Sequence, residues 1–226
     1  MKKPKISIII IHYNTPQYLK TCLDGIFKQT YENIEVIFID NDSPDDSGLK
    51  YVAEHYKNKD NLVIVPNEDN LGYAKAANQG IEMAIERENP ADYVVITNPD
   101  IIYSPSYFEK LINRVEKDPK IAAATGKVYK YDFEHKRPTK IVDTVGLIAF
   151  KNRRIVDDGQ GIEDTGQFDE EKEVFGVSGA CPLYRREALE AVKIMGEYMD
   201  EDFFMYKEDV DLSWRFQLYG WKCFYY

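Results

Sequence analysis

The chain has 226 residues, 44% of them hydrophobic and 13% aromatic, enough apolar material for one large core without disulfides or a structural metal. Its 29 Lys and Arg against 39 Asp and Glu leave a formal charge of −10, which excludes a nucleic-acid surface and disfavours adhesion to anionic lipid. Three cysteines, Cys22, Cys181 and Cys223, are too few and too scattered for a disulfide framework or a zinc cluster and fit a reducing compartment.

In chain order, Ile6–Ile11 is a continuous β-branched run, the pattern of a strand buried on both faces. It is too short for a signal peptide or a membrane span, so the reading expects a cytosolic chain, or the cytosolic part of something longer. Asn14-Thr15-Pro16 then offers a cap and an N-terminal proline, and Leu19, Cys22, Leu23, Ile26 and Phe27 form one helical face. A strand over 34–39 ends in the polar loop Asp40–Asp46; a helix over 48–56 and a strand over 62–65 follow. Asn67–Gly72 is a loop before a helix rich in Ala that runs to about Arg87. A strand over 93–97 leads into Asn98-Pro99-Asp100, then a helix near 106–117 and a strand over 121–125. The pattern changes after Lys127. Residues 128–131 and 141–153 read as hairpin or insertion material, and 163–173 as a mobile acidic surface loop. A short helix near 186–193, an aromatic acidic segment over 198–206, a helix over 208–219 and an apolar strand from Trp221 complete the chain. That strand stops without a turn, so the reading expects a chain truncated at its C-terminus.

Alternating strands and helices with short connections predict a mostly parallel sheet flanked by helices, with the ligand site outside the carboxyl ends of the strands. The most polar short loops fall there: His12-Tyr13-Asn14, Asp40-Asn41-Asp42, Asn70-Leu71-Gly72 and Asn98-Pro99-Asp100. Asp40 closes a buried strand, where its carboxylate suits a ribose hydroxyl or a base N–H, or simply an Asx turn. Asp100, beside a proline-stiffened turn, suits either a divalent cation bridging two phosphates or a helix cap. Glu208-Asp209 opens a helix, where acidic residues complement the macrodipole; alternatively one is a general base, desolvated by Phe203, Phe204, Tyr206, Trp214 and Phe216 nearby in sequence. His12, His55 and His135 lack metal-ligand spacing, and Gly176-Val177-Ser178-Gly179 lacks the Lys and Ser/Thr of a phosphate loop.

Taken in order, these segments resemble the family 2 glycosyltransferases, inverting enzymes of the GT-A fold. Ile6–Asn14 is similar to the family's first strand and nucleotide loop, and Ile37–Ser43 to its base-binding strand end. Asn70-Leu71-Gly72-Tyr73-Ala74-Lys75-Ala76-Ala77-Asn78-Gln79-Gly80 resembles the Asn-x-Gly-aromatic…Asn-x-Gly signature of the rhamnosyltransferase-like branch. Asn98-Pro99-Asp100 stands at the DXD position, and Phe203–Arg215 resembles the Glu-Asp catalytic motif. The resemblance implies one catalytic domain over 1–226, with residues 1–126 the nucleotide-sugar half and 127–226 a smaller, mixed acceptor-side and catalytic half. It implies donor contacts from His12, Tyr13, Asn14, Asp40, Asn70, Gly72, Asn78, Asn98 and Asp100, with Mg²⁺ or Mn²⁺ at Asp100. Asp209 is the implied base beside Glu208, and Gly179, Ala180 and Trp214 lie on the acceptor side. The implied partners are a nucleotide-diphosphate sugar and a glycan or lipid-linked acceptor, with peripheral association of a longer chain at the inner membrane face left open. Asn98 replaces the first Asp of DXD, leaving one carboxylate for the cation. The Gln-x-x-Arg-Trp motif of processive synthases is absent, which favours single-sugar transfer. Two alternatives stay open: a nucleotidyltransferase, or a nucleotide-sugar-binding fragment inactive without a missing tail.

Overall fold

A computed structural model describes residues 3–226. The first β-branched run forms β1 (Ile6–His12), buried along its whole length because it pairs in parallel with β2 (Ile34–Asp40) on one side and β4 (Tyr93–Thr97) on the other. β3 (Leu62–Pro66) extends the sheet beyond β2. Side chains alternate between two apolar layers, as the pleat requires. Ile9, Ile11, Ile37 and Ile39 face α3 (Tyr73–Ile85), α5 (Arg186–Ala191) and α6 (Glu208–Leu218). Ile8, Ile10, Val36 and Phe38 face α1 (Pro16–Phe27), α2 (Ser47–His55) and α4 (Tyr107–Val115). Gly80 lets α3 lie close on β1: a Cβ there would meet the Ile9 side chain at 2.5 Å.

The eight strands run in the order β10-β12-β5-β11-β4-β1-β2-β3. β5 (Ile121–Thr125) does not pair with β4 directly. β11 (Leu183–Arg185) is inserted antiparallel between them, and its Arg185 guanidinium donates to the carbonyls of Ile121 at 2.8 Å and Val115 at 2.7 Å. This reversal brings Gly179–Cys181 to the carboxyl edge of β4, where the Asn98 N–H donates to the Ala180 carbonyl at 3.4 Å. β12 (Lys222–Tyr225) is an interior strand, parallel to β5 and antiparallel to β10 (Lys172–Val174), which is why it is apolar.

Two segments of the second half take a more defined form than expected. Residues 128–131 and 141–153 are hairpin material, divided between two hairpins. β6 (Val128–Asp132) pairs with β7 (Arg137–Thr144), and β8 (Leu147–Ala149) with β9 (Ile155–Asp157). β7 begins Arg-Pro-Thr-Lys, with no apolar alternation to mark it, and Gly146 at φ +108° turns the chain between the two hairpins. Residues 163–173 are largely exposed, as a surface run should be, but the segment is tied down at several points. Asp164 and Asp169 grip the Lys127 ammonium at 2.7 and 2.6 Å, the Tyr225 hydroxyl donates to the Phe168 carbonyl, and residues 172–174 enter the sheet as β10. Lys127 beneath pairs with two of the segment's carboxylates, and the Asp164 carboxyl falls to about 2 through its bonds from Lys127, Tyr129 and the Gly166 N–H.

Candidate active site

Register places His12, Asp40 and Pro66 level at one edge of the sheet, so the loops after β1, β2, β3 and β4 converge there. Between them lies a cleft of about 310 Å³ lined by Tyr13, Thr15 and Tyr18, by Asn41, by Asn70, Gly72 and Tyr73, and by Asn98, Pro99 and Asp100. Phe204 and Met205 close it from the other half of the chain. No lysine or arginine is among the lining residues.

Amide chemistry knots the loops together. The Asn41 side chain donates to Asn70 Oδ1 at 3.0 Å and to the Gly72 carbonyl at 3.2 Å, and accepts from Asn67 at 3.0 Å and the Leu71 N–H at 3.2 Å. His12 is fully buried. Its Nε2 accepts the Thr15 N–H at 3.2 Å, so Nδ1 carries the proton and donates to Asp40 Oδ2 at 2.8 Å. Asp40 Oδ1 accepts the Ser43 N–H at 2.9 Å, and Ser43 Oγ accepts the N–H of Asn14, whose φ is +51°. His12 and Asp40 thus form a brace beneath the loops rather than part of the lining. Asn78 is also a brace: it accepts the Met199 N–H at 2.7 Å and donates to the Met199 carbonyl at 2.8 Å, tying α3 to the segment that leads to Phe204.

Beyond Asp100 the second half supplies two carboxylates at the start of α6. Asp209 Oδ2 accepts the Gly179 N–H at 2.9 Å, and Oδ1 accepts its own helix's Val210 N–H at 2.8 Å. Burial raises its pKa, opposed by those two N–H groups. Glu208 is buried with Oε2 unpartnered, and burial raises its pKa as well. The Tyr73 hydroxyl donates to the Gly179 carbonyl at 3.3 Å. Its pKa is pushed up by burial first and then by the charges of Glu208, Asp209 and Asp100. Tyr73 lines the cleft with Asp100, and Gly179, which accepts its hydroxyl, donates to Asp209, so this ring links the two acidic motifs. The pKa of Tyr184 likewise rises from burial and then from the charge of Asp209. The aromatic residues adjacent to Glu208-Asp209 in sequence are dispersed, with Phe204 on the cleft. Phe216 is in the core, Tyr206 is 74% exposed, and Trp214 packs edge-on to Phe175, outside the cleft.

Asp100 is exposed and lines the cleft, with the Asn98 amide beside it. Among the described residues no group of three or more His, Cys, Asp or Glu converges as a metal cage. One free carboxylate and one amide in a cleft without lysine or arginine fit a hard divalent cation whose other oxygen ligands come from a diphosphate and water, not one held by the chain alone.

Tyr73, Asn41 and Tyr18 were not singled out in the sequence. Tyr73 sits in the quoted signature, but only the β11 insertion brings Gly179 to its hydroxyl. Asp157 was missed too; its charge raises Asp209, and its Oδ1 is buried without a partner.

Comparison with known proteins bears on this geometry. Residues 7–193 match the sequence family described as Glycosyl transferase family 2. Glycosyltransferase GlyG of Streptococcus pneumoniae is 37% identical over 129 residues, 56% of this chain and 40% of that protein, so the chain spans well under half of that relative. The N-acetylglucosaminyl-diphospho-decaprenol L-rhamnosyltransferase of Mycobacterium tuberculosis is 26% identical across 97% of this chain and 73% of its own length. Among solved structures, the mannosyltransferase PcManGT of Pyrobaculum calidifontis, in complex with GDP-Man and Mn²⁺, superposes with a TM-score of 0.66 at 19% identity. That superposition covers 98% of this chain and 54% of the other. GalNAc-T7 with UDP, GalNAc and Mn²⁺ gives 0.72 at 14% identity, over 98% of this chain and 41% of that one. These last likenesses establish the GT-A fold.

Proposed function

The chain belongs to glycosyl transferase family 2, and from that premise we propose that it moves a single sugar from a nucleotide-diphosphate sugar to an acceptor hydroxyl with inversion, in the synthesis of a surface polysaccharide or glycan. The observation that carries this reading is the juxtaposition of two acidic centres across Tyr73: an exposed Asp100 in the donor cleft and a buried, raised Asp209 behind it.

Tyr13, Asn70 and Asn98 line the nucleotide's place, with Gly72 allowing close approach of the backbone. With no lysine or arginine in the lining, the diphosphate finds no fixed positive charge there, and Asp100 with the Asn98 amide would hold a Mg²⁺ or Mn²⁺ beside it. When bound, that ion supplies positive charge against the departing diphosphate. Asp209 receives the acceptor hydroxyl's proton. Burial lifts its proton affinity toward that task, and the Gly179 N–H holds Oδ2 in one orientation. Attack on the anomeric carbon from the side opposite the diphosphate inverts it. Among the described residues no helix is long and apolar enough to cross a membrane.

Thermal shift with UDP, GDP and dTDP, each with and without Mn²⁺, identifies the donor nucleotide. With that donor and its acceptor, Asp209→Asn lowers the transfer rate about 10²–10⁴-fold while nucleotide binding persists. Unchanged transfer by that variant would show that Asp209 is not the base.

A further inference from the structure

A second cleft, of about 690 Å³, opens on the far side of Asp100, between the loop that follows it and the β6–β7 hairpin. Asp100 lines both clefts, and the wall between them is an aromatic contact. Tyr18 of the first cleft packs on Phe133 of the second with centroids 4.7 Å apart, and Tyr131 packs on Phe133 at 4.9 Å. Tyr129 and Phe133 are both 39% exposed, yet their rings are held. The Tyr129 hydroxyl donates to Asp164, and Phe133 is flanked by two tyrosines. At the hairpin's inner end Asp143 faces the cleft, half-buried and free of hydrogen bonds among the described residues. Its charged neighbours are Asp157, Lys130 and Asp100.

We infer that this cleft is the acceptor site and takes a carbohydrate, with an apolar sugar face against Tyr129 and Phe133 and a hydroxyl donating to Asp143. The proposal rests on the glycosyl-transfer reading and adds to it the place and the chemistry of the second substrate. Position carries the first part. An acceptor must reach the donor's anomeric carbon, and this cleft adjoins the donor cleft at Asp100. Chemistry carries the second. Exposed aromatic faces with a few convergent polar groups are the lining of a small-molecule site. Lys127 does not offer a phosphate site, because it is already paired with Asp164 and Asp169. An alkyl chain would strip water from the Asp143 carboxylate and the tyrosine hydroxyls without replacing their hydrogen bonds. A sugar satisfies both surfaces at once.

The test is saturation-transfer NMR on the whole chain with Mn²⁺ and the nucleoside diphosphate that stabilises it. The probes are the methyl glycosides of glucose, galactose, N-acetylglucosamine and rhamnose, with farnesyl phosphate as the lipid probe. The expected result is a glycoside signal in the wild type that weakens about tenfold in Tyr129→Ala and in Asp143→Asn, while the nucleotide's thermal shift is unchanged in both. Equal glycoside signals in the wild type and both variants would overturn the proposal and leave the glycosyl-transfer reading standing. So would a wild type that binds nucleotide but no glycoside, or one in which only farnesyl phosphate binds, sensitive to Tyr129→Ala. A wild type that binds no nucleotide at all would remove the reading beneath the proposal as well.

Discussion

Replacing Gly72 by alanine probes the corner where the donor loops meet the catalytic half. Gly72 has φ +79° and ψ 171°, a backbone region that only glycine occupies readily; another residue held there costs about 1–3 kcal/mol. The added Cβ would also sit 2.5 Å from Phe204 Cδ2 and 2.8 Å from the Phe204 carbonyl oxygen. The ring is half exposed and can turn away. The carbonyl cannot move freely, because it accepts the N–H groups of both Tyr73 and Ala74 at the start of α3. Relief therefore displaces the 203–207 segment, in which Phe204, Tyr206 and Lys207 already lie at positive φ, and with it the start of α6. For 226 residues the unfolding entropy is about 0.5 kcal/mol/K, so the backbone cost alone lowers Tm by about 2–6 °C. Gly161→Ala is the control: its φ is also +79°, but a Cβ there meets nothing within 4 Å. Differential scanning calorimetry of the two variants separates clash from backbone strain, and the nucleotide thermal shift with Mn²⁺ reads the site. Gly72→Ala is expected to lose more Tm than Gly161→Ala and most of its nucleotide response. Equal losses in Tm with a wild-type nucleotide response would refute the argument that this glycine couples the donor cleft to the catalytic segment.

Glu208→Gln stabilises the protein at neutral pH. Burial raises the Glu208 pKa, so the folded state holds this group best when protonated. The stability it contributes is complete below the unfolded value near 4.5 and is lost as pH rises through the folded pKa. The variant's Tm advantage is thus largest at pH 7 to 8 and closes as pH falls toward 4.5; an advantage independent of pH would reject the assignment. Asn78→Ala leaves the Met199 N–H and carbonyl without their partner inside the fold, at a cost of about 1–3 kcal/mol, read by urea denaturation. An unchanged midpoint would mean that this pair does not hold α3 to the catalytic segment. Asp100→Asn abolishes the strengthening of nucleotide binding by Mn²⁺ while leaving Tm without ligand near that of the wild type, since Asp100 is exposed and makes no hydrogen bond among the described residues. A persistent metal effect would place the cation elsewhere.

The helical faces, the strands of the first half and the polar loops at their carboxyl ends were legible because each follows from local periodicity. Ile6–Ile11 has to be buried on both faces, and Leu19 to Phe27 forms one stripe. The second half was less legible. β7 opens with Arg-Pro-Thr-Lys and carries no alternation, and the acidic segment's anchor is a single lysine some forty residues upstream in sequence. Residues chosen for their chemistry also divided by contact. Tyr13, Asn70, Gly72, Asn98 and Asp100 line the cleft, whereas His12, Asp40 and Asn78 hold the loops from beneath.

Sequence by itself thus determined the sheet, its carboxyl edge as the place of the site, and the identity of the acidic pairs, because burial patterns and loop polarity are local properties. Tertiary structure decided what surrounds those pairs. The antiparallel insertion of β11 carries Gly179 to Asp209 and to Tyr73, and burial in the fold raises the Asp209 carboxyl. The physical reason is that desolvation and hydrogen bonding depend on what lies within a few ångströms in space, and the hydrogen bonds that orient Asp209 and Tyr73 cross 30 and 106 positions of the chain.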